Sequence, residues 1–153
     1  MLLSRLCREF KKHSVQYAIA GGYAVALHGA VRGTVDIDIL LNLDEKNLTL
    51  CEEVLKSMGF ISKIPVDANL ILKNRERFIE EKNLIAWSFY NPNNPIEIID
   101  VLIHKDLEDM NTVKMQHADI ELIVVSKQDL IDMKRESGRP QDLEDIKALE
   151  SLI

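Results

Sequence analysis

The order of apolar and polar positions predicts alternating helices and strands along the chain. Apolar residues at helical spacing predict a first helix over residues 2–14, and a short apolar run predicts a strand over 16–20. Further helices are predicted over 23–28, 44–58, 126–137 and from 140 onward, with a helix or turn over 75–82. Further strands are predicted over 35–43, 60–64, 84–90, 96–104, 113–115 and 120–125. This order predicts an α+β fold, a mixed β-sheet flanked by helices with a C-terminal helical pair.

Residues typical of helix ends mark several of these boundaries. Asp44 is a candidate N-cap, and Gly59 follows the expected end of the same helix. Ser126 and Gly138 bracket a later helix, and Pro140 stands at the favoured first position of the last one.

Composition is that of an ordinary globular protein, with 153 residues of which 46% are hydrophobic and 29% are charged. We therefore expect a single domain over residues 1–153. Apolar runs fall far short of the roughly 20 residues of a membrane span, and the N-terminal segment does not resemble a signal peptide. The sequence thus predicts a cytoplasmic protein with no membrane partner, with Cys7 and Cys51 as reduced structural thiols. The net charge of −6 argues weakly against non-specific nucleic-acid binding and leaves a local RNA site possible.

Two carboxylates lie close together in the strand predicted over 35–43. Alternation along a strand places Asp36 and Asp38 on one face, about 6.5–7 Å apart, and directs Val35 and Ile37 into a core. Neighbouring carboxylates repel each other unless a cation lies between them, and Mg²⁺ favours carboxylate and phosphate oxygens. A metal–triphosphate site therefore fits, although two solvent-facing aspartates explain the triplet equally well.

Gly21 and Gly22 separate an apolar strand from the next predicted helix. Glycines at such a point permit close backbone approach, and the first N–H groups of a helix are free to bind a phosphate. An ordinary tight turn is the alternative explanation.

Taken together, these two elements resemble a known signature. Gly21-Gly22, a spacer of thirteen residues and Asp36-Ile37-Asp38-Ile39 are similar to the first motif of the DNA polymerase β-like nucleotidyltransferase superfamily. The stretch GGYAVALHGAVRGTVDIDILL also looks like that motif in AbiEii-type (type IV toxin) and minimal bacterial nucleotidyltransferases, which place an Arg and a Ser or Thr where Arg32 and Thr34 stand. The resemblance implies Mg²⁺ or Mn²⁺, a nucleoside triphosphate with its phosphates against Gly21-Gly22, and nucleotidyl transfer to an acceptor.

Asp100 is the best candidate for the third acid that such enzymes bring from a neighbouring strand. It shares a face with Ile98 and Leu102, so that a bare carboxylate emerges among apolar side chains. An unpaired buried charge is costly, which indicates a nearby cation or strong donors. We expect Asp36, Asp38 and Asp100 to bind metal, with Asp100 accepting the proton of the attacking hydroxyl. A basic partner at the strand end is the alternative.

The C-terminal segment is similar to a second motif of the same families. By position in that motif, Lys134 and Asp142 are linked to nucleotide binding, with Arg139 and Asp145 as partners. Ion pairing that fixes the last helix to its neighbour explains the same residues, and the two roles are compatible.

Other chemically active side chains have weaker claims. His28 and His104 are poor candidates for a catalytic base. Trp87, Phe89 and Tyr90 are expected to pack in the sheet, with stacking of one of them on a nucleotide base as the alternative.

The acceptor stays open at this point. RNA or a protein, as for toxin-type relatives in toxin–antitoxin systems, is one class, and an antibiotic or other small molecule is a second. A non-catalytic antitoxin or binding module is a third, disfavoured by the intact acids. The sequence selects neither the base of the triphosphate nor an oligomeric state.

Overall fold

The computed structural model describes residues 1–152, which form a seven-stranded mixed sheet with helices on both faces. The strands are β1 Tyr17–Ala20, β2 Ile37–Leu41, β3 Ile61–Ser62, β4 Ala86–Asn91, β5 Asn94–Leu102, β6 Thr112–His117 and β7 Ile120–Val125. The helices are α1 Leu2–Lys12, α2 Gly21–Leu27, α3 Glu45–Ser57, α4 Ala68–Lys73, α5 Arg75–Lys82, α6 Lys127–Ser137 and α7 Pro140–Glu150, with a 3₁₀ turn at Leu107–Asp109. The α+β class and the C-terminal helical pair are confirmed.

Strand order in the sheet is β3-β4-β5-β2-β1-β7-β6. The central strand β2 is parallel to β5 and antiparallel to β1, and β7 is parallel to β1. Consequently the start of β2 lies between the end of β1 and the middle of β5. Residues that are far apart in sequence meet at this point.

The two faces of the sheet differ in chemistry. Ile37, Ile39, Ile99 and Val101 lie on one face and are fully buried in the core, together with Trp87 and other large side chains. The opposite face carries acidic side chains at the start of β2, and helices α2, α6 and α7 cover only part of it. A ligand can therefore reach the acidic side chains on this partly open face.

Local signals account for most helix boundaries. The Asp44 side chain accepts a hydrogen bond from the Asn47 backbone N–H at 2.8 Å, and Ser126 caps α6 in the same way. Gly138 ends α6 with a φ of 59°. Helix α4 was not predicted because its six residues bury only Ala68 and Ile71, too few to show a helical period.

The strand predicted over 35–43 is shorter than expected, and one detail was wrong. Pairing with β5 starts at Ile37, so Val35 lies outside the sheet and is 59% exposed rather than part of the core. The strand predicted over 60–64 is likewise reduced to Ile61–Ser62.

Two further predictions concerned the two cysteines and membrane-spanning helices. Cys7 and Cys51 are buried and free. Among the described residues, no helix combines the length and apolar character needed to cross a membrane.

Candidate active site

Asp38 and Asp100 lie side by side on adjacent parallel strands. They are direct Cα partners in the pairing of β2 with β5, on the face opposite the core. Burial, followed by the negative charge of Asp100 and a hydrogen bond shared with it, raises the pKa of Asp38 to about 7. Two carboxylates in this position favour a shared proton or a bound cation.

Ser88 on β4 fixes the orientation of Asp100. It is the Cα partner of Asp100, and its hydroxyl donates a hydrogen bond to Asp100 Oδ1 at 2.5 Å. Ser88 was not predicted as a site residue, because its role depends on the pairing of β4 with β5. In the sequence it is only a polar residue between Trp87 and Phe89.

Asp36 marks the exposed end of the acidic cluster, just before β2 begins. Burial and the charge of Asp100 raise its pKa, whereas the charge of Lys63 lowers it. Asp100 is therefore close enough to Asp36 and to Asp38 to raise the pKa of each. Lys63 is a further neighbour that sequence reasoning missed.

Gly21 lies directly against the acidic pair. A Cβ atom added to it would stand 2.0 Å from Asp38 Oδ2, and its φ of +62° is one that other residues rarely adopt. Both requirements select glycine. Helix α2 begins at Gly21 rather than at residue 23, so that both glycines belong to its first turn.

Gly22 is packed closely against the loop that precedes β2. An added Cβ would lie 2.8 Å from both Arg32 Nη1 and Thr34 Oγ1. The loop thus folds back so that Arg32 and Thr34 approach the glycine backbone. The four predicted nucleotide-binding residues of this half of the chain form one contiguous group.

The C-terminal motif forms a buried ion-pair network. Lys134 Nζ lies 3.3 Å from Asp142 Oδ1 and 2.9 Å from Asp145 Oδ2, and all three side chains are almost fully buried. Arg32 Nε donates to Asp145 Oδ1 at 2.9 Å, which connects the network to the glycine turn. The network therefore joins α6, α7 and the loop before β2, as the ion-pair interpretation predicted.

Asp142 is held ionised within this network. Burial alone would raise its pKa, but hydrogen bonds from Arg139 and Ser137 and the charge of Lys134 hold that pKa well below its usual range. Arg139 Nε donates to Asp142 at 2.8 Å while 73% of the Arg139 side chain stays exposed. Arg139 thus offers a guanidinium that is fixed at one end and open to a ligand.

A cavity of about 120 Å³ lies between these groups. Its lining includes Gly21, Gly22, Arg32, Asp38, Lys134 and Arg139, so it joins both halves of the predicted nucleotide site. A larger cavity of about 580 Å³ lies at helices α4 and α5, with acidic and basic side chains in its wall. We assign the functional site to the smaller cavity because Asp38, the carboxylate with the raised pKa, lines it.

The two histidines differ in position. The His28 ring is engaged at 2.8 Å with the carbonyl oxygen of Val125, a structural contact. His104 lines the cavity, and burial lowers its pKa. Trp87 and Phe89 pack against each other in the sheet, with ring centroids 4.6 Å apart.

Whether the acids suit a metal ion depends on the chemistry of the donors. No group of three His, Cys, Asp or Glu side chains within residues 1–152 is arranged as a complete ligand set. Asp38 nevertheless lies beside Asp100 on the next strand, and burial followed by the charge of Asp100 raises the pKa of Asp38. Mg²⁺ commonly takes one or two carboxylates and completes its shell with water and substrate phosphates. The residues therefore fit a divalent cation that arrives with a phosphate ligand.

Comparison with known proteins identifies the family of the chain. A family model described as "Nucleotidyltransferase of unknown function (DUF6036)" matches residues 3–152. No curated protein sequence matches significantly.

Several solved structures share the fold. A lincomycin-bound lincosamide antibiotic adenylyltransferase, LnuA, superposes with a TM-score of 0.65 at 17% identity, covering 99% of this chain and 96% of that one. ANT(2")-Ia in complex with adenylyl-2"-tobramycin gives 0.64 at 12% identity, covering 97% and 85%. An antigenic nucleotidyltransferase-like protein from Paracoccidioides brasiliensis gives 0.60 at 18% identity, covering 97% and 73%. At these identities the likeness is one of fold.

Proposed function

Because the chain belongs to the family of nucleotidyltransferases of unknown function (DUF6036), we propose that it moves a nucleoside monophosphate from a nucleoside triphosphate to an acceptor in a metal-dependent reaction. The observation that carries the proposal is the contact of three features: Asp38, its strand partner Asp100 and the bare backbone of Gly21. Adjacent carboxylates beside a glycine backbone that lines a cavity suit a cation bound together with phosphate.

The acidic cluster would hold the cation. Asp38 and Asp100 would supply adjacent oxygens, and we assign Asp36 to the exposed end of the same site. Bound Mg²⁺ or Mn²⁺ would neutralise phosphate charge and orient the α-phosphate for in-line attack. Ser88 holds Asp100 in place through its hydrogen bond.

The triphosphate would lie on the other side of Asp38, toward the cavity. Gly21 and Gly22 line that cavity without side chains of their own, and Arg32 and Thr34 stand at the same backbone. Arg139 adds an open guanidinium at the cavity wall, where an arginine can bind phosphate oxygens in pairs.

Lys134 and Asp142 also line the cavity and belong to the proposed nucleotide site. The charge of Lys134 is already balanced by two carboxylates, so we assign it a positioning role. Asp142 positions Arg139, and the network positions Arg32 through Asp145.

The reaction balances as a simple displacement. The acceptor O–H bond breaks and its oxygen forms a bond to the α-phosphorus. The bond from that phosphorus to the oxygen bridging the β-phosphate breaks, and pyrophosphate leaves. Asp100 faces the open side of the sheet and accepts the proton, either directly or through one water.

The test is label transfer from each of the four α-labelled triphosphates with Mg²⁺ or Mn²⁺. The acceptors offered are cellular RNA, the protein itself, lincomycin and tobramycin. We expect transfer that EDTA and Asp36→Ala both abolish, while the matched control Asp119→Ala on an exposed turn stays active. An absence of transfer to every acceptor, with identical behaviour of the two variants, would refute the proposal.

A small-molecule acceptor is the second candidate, favoured by the fold shared with two antibiotic adenylyltransferases. Label on lincomycin or tobramycin in the same assay supports it. Label on RNA or protein supports the toxin-type role instead. A protein that binds triphosphate without transfer is the non-catalytic module.

A further inference from the structure

A row of polar residues crosses four neighbouring strands and leads away from the glycine turn. Asp38 on β2 is paired with Asp100 on β5, and Asp100 with Ser88 on β4. The row continues to Lys63, whose backbone N–H donates to the Ser88 carbonyl at 2.9 Å just after β3 ends. Side chains at paired positions share one face of a sheet, so Lys63 lies on the acidic face.

A second row on the same face is apolar and aromatic. Ile61 on β3 is paired with Tyr90 on β4, and Tyr90 with Ile98 on β5. Ile61 is 44% exposed, and Tyr90 and Ile98 are half-buried, although all three belong to a sheet. Asp36 adjoins the end of this row, because Ile37 is paired with Ile99. The two rows form a flat surface beside the acidic cluster, which we call the β3–β5 platform (Ile61, Lys63, Ser88, Tyr90 and Ile98).

The geometry of in-line displacement determines which reactant lies over the β3–β5 platform. The attacking oxygen and the leaving pyrophosphate stand on opposite sides of the α-phosphorus. In the proposed reaction the pyrophosphate leaves toward Gly21, Gly22 and Arg139. The acceptor therefore approaches from the opposite side, over the β3–β5 platform.

Lys63 is the basic group of this surface. Within residues 1–152 it makes no ion pair shorter than 4.0 Å, unlike Lys134 and Arg139 on the other side. Its charge acts on the nearby Asp36. The positive charge of Lys63 would repel a cationic acceptor and attract an anionic one.

We propose that Lys63 and Tyr90 form the acceptor subsite and that they select a phosphate-bearing nucleotide, its base stacked on the Tyr90 ring and its phosphate at Lys63. Stacking on an aromatic side chain combined with a nearby cation is the usual means of holding an unpaired nucleotide. The nucleotide can be free or the 3′ end of an RNA strand, since both present the same base, phosphate and hydroxyl. This inference rests on the proposed function, because the reaction determines which side the acceptor occupies.

The test measures acceptor binding separately from catalysis. The triphosphate site is first filled with Mg²⁺ and a non-hydrolysable triphosphate analogue. Binding of a short fluorescent single-stranded RNA, and of adenosine monophosphate, is then measured for the wild type and for Lys63→Glu, Lys63→Arg, Tyr90→Leu and Tyr90→Phe. The matched control is Lys114→Glu, an exposed lysine on β6 at the other edge of the sheet.

We expect Lys63→Glu and Tyr90→Leu each to weaken binding about tenfold or more. Lys63→Arg, Tyr90→Phe and Lys114→Glu should bind as the wild type does, and the KM for triphosphate should stay unchanged in all of them. If the wild type binds the RNA but not adenosine monophosphate, the subsite accepts the 3′ end of a strand. If it binds both ligands, the subsite also accepts a free nucleotide.

Three results would overturn the inference: a wild type that binds neither ligand, equal binding by Lys63→Glu and Lys114→Glu, or a raised KM for triphosphate in Lys63→Glu. Failure of the proposed function looks different. Lys63-dependent binding without any label transfer refutes the transferase and leaves the subsite standing.

Discussion

Replacing Asp38 by asparagine is expected to stabilise the metal-free protein above neutral pH while abolishing transfer. Burial and the adjacent Asp100 raise the pKa of Asp38 from an ordinary 3.8 to about 7. That difference corresponds to about 4 kcal/mol of unfavourable free energy for the ionised group. Because the two carboxylates share protons and the site relaxes, we expect a gain of about 2 kcal/mol in the free energy of unfolding.

The pH dependence gives the sign of this effect. Between pH 3.8 and about 7 the folded protein keeps a proton that the unfolded chain has released, so wild-type stability falls as pH rises through this window. Asparagine has no such proton. The stabilisation is therefore absent at the acidic end of the window and complete above its upper end.

The gain is measured by urea unfolding in EDTA at two pH values, one at the acidic end of that window and one above its upper end. Asp119→Asn is the control, because its side chain is 78% exposed. Added Mg²⁺ should stabilise the wild type and leave Asp38→Asn unchanged. A gain that is absent at alkaline pH, or equal at both pH values, would show that crowding of carboxylates does not destabilise this site.

Three further substitutions probe other parts of the site. Gly21→Ala should abolish transfer and cost about 1–3 kcal/mol of stability, because its Cβ meets Asp38 and its φ is positive; Gly33→Ala, with nothing within 4 Å, should have little effect on either. Lys134→Ala should lower the free energy of unfolding by about 3–5 kcal/mol, since two buried carboxylates lose their partner. Arg139→Gln should raise the KM for triphosphate about tenfold with little loss of stability, because most of its side chain is exposed.

Denaturant unfolding and steady-state kinetics check these expectations. Full activity of Gly21→Ala would contradict the proposed phosphate position. Unchanged stability of Lys134→Ala would show that its ion pairs contribute little, and a normal KM in Arg139→Gln would remove Arg139 from the triphosphate site.

Local sequence signals predicted most of the elements, because caps and periodicity are properties of neighbouring residues. Asp44, Ser126 and Pro140 each mark a helix start that the structure confirms. Asp36 and Asp38 were found because alternation along one strand is itself local. Asp100 was a candidate because its carboxylate emerges among apolar side chains of a second strand, and its position beside Asp38 is seen only in the pairing of β2 with β5.

Features that depend on strand pairing could not be predicted from the sequence. Ser88 gains its role only because β4 pairs with β5 in one register. Lys63 follows a strand of two residues, too short to show alternation, and its neighbours come from β4 and from the loop before β2. Val35 was misplaced for a related reason, since β2 pairs with β1 only from Asp38 onward and with β5 only from Ile37 onward.

The buried ion-pair network has a consequence for the order in which the protein is made. Two of its acids, Asp142 and Asp145, lie in α7, which a ribosome synthesises after all seven strands. Until α7 emerges, Lys134 has no buried partner and Arg32 is not held beside Gly22. Nascent chains should thus carry the seven strands and their acids before they can hold a triphosphate, and the proposed transfer would begin only once α7 has formed.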